Sequence, residues 1–74
     1  MRAYGRAKGR SSNNAPFEMR EVTFTGAPST IRELAHFLLA AADKKEKQRL
    51  QFEHMHVREL NSNWNDKWPD IIVG

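Results

Sequence analysis

The chain contains no cysteine. That excludes disulfide staples, thiolate zinc sites and cysteine nucleophiles together, and makes a reducing compartment, the cytoplasm, the expected location. No run approaches the roughly 20 apolar residues needed to span a bilayer, and the opening MRAYGRAKGR lacks the apolar core of a secretory signal, so no membrane role is expected. The four glycines form no phosphate cradle of the P-loop kind. Ser11, Ser12, Ser29 and Ser62 stand in no nucleophile-elbow context. No catalytic residues are assigned, no enzyme activity is expected and no cofactor is implied. The 74 residues have room for one small domain, and a domain of this size buries only about 60% of the surface its unfolded chain exposes.

Acidic charge is missing from one place in particular. The net charge is +3, but residues 1–15 carry Arg2, Arg6, Lys8 and Arg10 and no acid, while the rest of the chain carries eight basic and nine acidic side chains. The whole positive excess therefore lies in the first fifteen residues. Their glycines, serines and asparagines offer too little apolar surface to offset the entropy of ordering them, so residues 1–15 are expected to be a disordered basic tail and residues 16–74 the single folded domain. Within that tail Tyr4 could stack on a base while Arg2, Arg6, Lys8 and Arg10 attract phosphates. A nucleic-acid-associated accessory role is thus the alternative function, weak and salt-sensitive with so few charges.

After Pro16, FEMREVTF has the β-branched and aromatic content of a strand. Its alternation slips: Phe17 and Met19 share one parity, Val22 and Phe24 the other. Two covered faces or a bulge near Arg20 and Glu21 would each explain the slip, and two covered faces is the expectation. The segment APSTIRELAHFLLAAADKKEKQ reads as a helix. Pro28 suits its first turn and Ser29 or Thr30 can help satisfy the free amides. Ile31, Leu34, Ala35, Leu38, Ala41 and Ala42 trace an apolar stripe with Phe37 off it, and the DKKEKQR run ends the helix in a charged turn.

Two further strands are expected in LQFEHMHVREL and WPDIIV, separated by the turn-rich NSNWNDK. The resulting class is α+β: β-α-β-β, one helix on a three-stranded antiparallel sheet of order 1-3-2. One helix covers one face of such a sheet, yet both faces read as apolar. A second copy is expected to cover the other, giving a homodimer through Phe17 and Met19.

His54 and His56, one residue apart on a strand, would share a face and could supply two imidazoles. Two ligands are fewer than a zinc site takes, so no metal is expected and the pair is read as polar packing or interface hydrogen bonding. Trp64 and Trp68 flank Asp66 and Lys67, and either cap the core or anchor a protein partner. His54, His56, Trp64, Asp66 and Trp68 are the candidate partner-binding residues. The combination of FEMREVTFTGAPSTIRELAHFLLAAAD, HMH and NDKWPDIIV resembles the bacterial immunity protein thirty-two family, over roughly residues 17 to 73. The resemblance implies a non-catalytic, protein-binding role: neutralising a toxin protein.

Overall fold

The computed structural model describes residues 1–7 and 18–74. In chain order it contains β1 (Arg2–Ala7), β2 (Met19–Thr25), α1 (Pro28–Gln48), a short 3-10 turn (Arg49–Gln51), β3 (Met55–His56), the single-turn α2 (Val57–Leu60) and β4 (Ile72–Val73). The class is α+β, with one main helix and short antiparallel strands. Among the described residues the three-stranded sheet of order 1-3-2 is not formed, and there are instead two two-stranded sheets, β1 with β2 and β3 with β4.

Two local reasons account for that difference. The run expected as the second strand pairs over Met55 and His56 alone, because Val57–Leu60 closes a helical turn in which the Asn61 amide donates to the Val57 carbonyl at 2.9 Å. Arg58, Glu59 and Leu60 are good helix formers, so local propensity ends the strand there. The third strand is likewise confined to Ile72–Val73, with Met55 opposite Val73 and His56 opposite Ile72.

Of the segment expected to be a disordered tail, Arg2–Ala7 form β1 antiparallel to β2, with Arg2 opposite Thr25 and Arg6 opposite Glu21. Met1 anchors its start by packing against the core, and the place a Cβ on Gly26 would take lies 3.2 Å from Met1 Cγ. Lys8, Arg10, the proposed boundary at residue 16 and Phe17 lie outside the described residues.

The parity slip in β2 is a bulge. Arg6 faces Glu21 but Ala7 faces Met19, leaving Arg20 as the extra residue. An extra residue restores the alternation, so Met19 shares a face with Val22 and Phe24 and does not oppose them as expected. Gly5 confirms the sidedness: a Cβ there would collide with Met19 Cε and press on the Glu21 carbonyl at 3.3 Å. The ribbon thus has one apolar face and one polar face, and every residue of β2 is exposed, Val22 to 52%.

In α1, Pro28 occupies the first turn as expected, but the N-cap is Ala27 and no side-chain cap bond forms, so Ser29 and Thr30 do not cap it. The helix runs on through the charged segment to Gln48, with Lys45 and Lys47 in its last turn, where cations complement the helix dipole. Arg49 ends it with a positive φ of 47°, its amide donating to the Lys45 carbonyl.

The buried stripe is Thr30, Leu34, Phe37 and Ala41. It lies about a quarter-turn round the helix from the expected one. Phe37, expected off the stripe, is 0% exposed, whereas Ile31 is exposed and Leu38 is 43% exposed. Leu34, Phe37 and Ala41 meet Met55, Val57 and Trp64 in one small core, with Met1, Phe52, Trp68, Ile71 and Val73 packed around it.

Candidate functional site

The segment between α2 and β4 is built from two successive turns with the same chemistry. The Asn61 side-chain oxygen accepts the Asn63 amide at 3.1 Å, and the Asn61 carbonyl accepts the Trp64 amide at 3.1 Å. Four residues on, the Asn65 side chain accepts the Lys67 amide at 2.8 Å and its carbonyl accepts the Trp68 amide at 2.9 Å. Asparagine captures the backbone two residues ahead, and the turn then delivers a tryptophan at the fourth position. The signal was present in the sequence as NSNW followed by NDKW.

The two tryptophans thereby meet edge to face, with ring centroids 5.0 Å apart and planes at 79°. Trp64 is 2% exposed and its indole N–H donates to the Pro69 carbonyl at 2.9 Å. Trp64 thus lies in the core, one of the two places expected for it, and its one polar atom is satisfied internally. Trp68 is half-buried against it. Asp66 projects from the same turn with its side chain 96% exposed, 3.8 Å from Arg58 Nε, while Arg58 Nη2 donates to the Asp66 carbonyl at 3.3 Å.

Asp70 ties this turn to the histidines. His56 Nδ1 lies 2.6 Å from Asp70 Oδ2. A carboxylate only accepts, so the imidazole donates from Nδ1, and in its neutral form keeps the Nε2 lone pair free. Antiparallel pairing sets His56 opposite Ile72, two residues beyond Asp70, a relation that no local spacing announces. His54 is exposed and its ring meets that of His56 edge to face at 5.1 Å. Among the described residues no group of three His, Cys, Asp or Glu side chains converges to hold a metal ion. His54, His56, Asp70, Trp68, Asp66 and Arg58 therefore form a polar rim beside the β3–β4 pair, with no catalytic arrangement assigned to it.

Because the His56–Asp70 pair is only partly shielded from solvent, Asp70→Asn is expected to cost about 1 kcal/mol or less. Denaturant unfolding measures this, and nitrogen NMR of the wild type should place the proton of the neutral His56 ring on Nδ1. A neutral wild-type ring with its proton on Nε2 and none on Nδ1 would show that the hydrogen bond is not held in solution.

The second group of candidate residues lies on β1. Arg2, Tyr4 and Arg6 alternate and so share the ribbon's polar face. Arg2 Nη1 donates to the Tyr4 hydroxyl at 3.4 Å, and Arg6 lies 3.8 Å from Glu21. The Tyr4 contact, first through its hydrogen bond and then through charge, raises the pKa of Arg2 above its already high ordinary value.

No helix among the described residues is long and apolar enough to cross a membrane. No curated protein and no solved structure matches the chain. A family model described as Immunity protein 32 matches residues 21–74, a span that takes in most of β2 and all of α1, β3, the paired asparagine turns and β4. The sequence resemblance is thereby shown, and the chain belongs to the Immunity protein 32 family.

Proposed function

We propose that this protein neutralises a bacterial toxin by binding it, without chemistry of its own. The family match over residues 21–74 carries the reading. The rim of His54, His56, Asp66 and Trp68 supplies the contact surface: hydrogen-bonded turns hold it, Asp66 lies beside Arg58 so that both charge signs are present, and a half-buried tryptophan lies within it. The test is co-expression with the toxin domain encoded beside this gene. Growth should be restored, and the two chains should co-elute as a stoichiometric complex. Asp66→Arg and His54→Glu, at exposed positions, should weaken that complex about tenfold or more while leaving thermal unfolding unchanged. Failure to bind or protect would overturn the role. Protection by substoichiometric amounts with covalent change in the toxin would overturn the non-catalytic part.

The apolar ribbon face of Met19, Val22 and Phe24, all exposed, supports self-association as a second reading. Sedimentation should show a dimer that Met19→Glu weakens more than it weakens folding. A monomer at high concentration would count against it.

A further inference from the structure

The polar face of the ribbon is bordered by an open strand edge. Among the described residues β1 pairs with β2 alone, and Arg2 to Arg6 are all exposed, so alternate backbone groups on its outer side are free to template another strand. Tyr4, Gly5, Arg6, Glu21 and Thr23 line a shallow, open concavity of about 190 Å³ on the adjoining face.

Charge selects what can occupy that edge. Two copies of β1 paired antiparallel about Tyr4 would place Arg2 of each opposite Arg6 of the other, and like charges directly opposite are destabilising. The same two positions favour acids on an incoming strand. The acid already on this face, Glu21, sits opposite Arg6 on β2, leaving Arg2 facing Thr25 with no acid across the ladder. Two arginines, one of them partly neutralised, would neutralise few phosphates, so a nucleic-acid strand is the weaker occupant.

We propose that the outer edge of β1 is a β-augmentation site for an extended segment of a protein partner, with acidic side chains four residues apart to meet Arg2 and Arg6 and an apolar one midway beside Tyr4. Backbone hydrogen bonds supply attraction and the alternate side chains supply selection. The spacing follows from the strand repeat, roughly 13 Å between Arg2 and Arg6 at about 3.3 Å per residue. Because β1 precedes the family-matched span, the site is additional to the rim assigned to toxin binding, and its failure would leave that reading standing.

The test uses the full chain and four fluorescent probes: a peptide with Glu at i and i+4 and Val at i+2, its lysine counterpart, the acidic peptide N-methylated at alternate amides, and a single-stranded oligonucleotide. The acidic peptide should bind and slow amide exchange within residues 2–7. Arg2→Glu or Arg6→Glu should weaken it at least tenfold with unchanged thermal unfolding, and N-methylation should abolish it. Equal binding of the N-methylated peptide would reduce the site to simple charge attraction. Equal binding of the lysine peptide, tighter binding of the oligonucleotide, or no binding of the acidic peptide would each overturn the proposal.

Discussion

Phe37→Ala should cost about 3 to 5 kcal/mol, the range for removing a fully buried aromatic ring. Phe37 is wholly buried in one cluster with Leu34, Ala41, Met55, Val57 and Trp64, and the described residues form no second core to compensate. Total stability at about 0.05 to 0.15 kcal/mol per residue is on the order of 4 to 11 kcal/mol for a chain of this size, so the variant should lose from about a quarter to all of it. Leu38→Ala, by contrast, removes a half-exposed side chain and should cost less than about 1 kcal/mol. Chemical denaturation of the two variants side by side decides which stripe of α1 faces inward. A larger loss at Leu38 than at Phe37 would mean that the helix sits about a quarter-turn from where it is described.

Trp64 should behave as a core residue, not as a binding anchor. Trp64→Ala should cost about 3 to 5 kcal/mol. Trp64→Phe should cost about 1 to 3 kcal/mol, since the smaller ring fills part of the space but leaves the Pro69 carbonyl without its indole donor. Unfolding monitored by circular dichroism gives both values. If the proposed toxin-binding role holds, binding by the folded fraction of Trp64→Phe should be nearly unchanged, because the side chain is 2% exposed. Loss of binding with stability intact would return Trp64 to the partner surface.

The contrast between Phe37 and Leu38 shows where reading the chain alone stops. Ile31, Leu34 and Leu38 satisfy helical spacing as well as Thr30, Leu34, Phe37 and Ala41 do, because α1 is apolar round much more than one face. Periodicity identifies such a helix but cannot choose between adjacent stripes. The bulge at Arg20 was visible as a slip in parity, but a slip is equally compatible with two covered faces until the pairing partner is known. β1 was missed for a related reason. Arg, Ala and Gly carry little strand signal, and their order comes from a ladder with β2 and from the seating of Met1 beside the core. Among the candidate site residues, the asparagine turns were legible because the side chain closes them locally. The His56–Asp70 contact was not, because it spans fourteen residues and depends on the β3–β4 register.

Composition and neighbouring residues specify the chemistry available and the elements whose causes are local. The lack of cysteine, the position of the positive charge, the start of α1 at Pro28, the asparagine-driven turns and the family resemblance all follow from neighbouring residues or from composition. Tertiary structure alone decided which helix face is buried, that the strands form two pairs and not one sheet, that Arg2, Tyr4 and Arg6 line an ordered ribbon edge, and that Trp64 is core while Trp68 and Asp66 reach the surface. Each of those choices was nearly balanced in local propensity, and was settled by long-range burial and hydrogen-bond pairing, whose free energy exists only once distant segments meet.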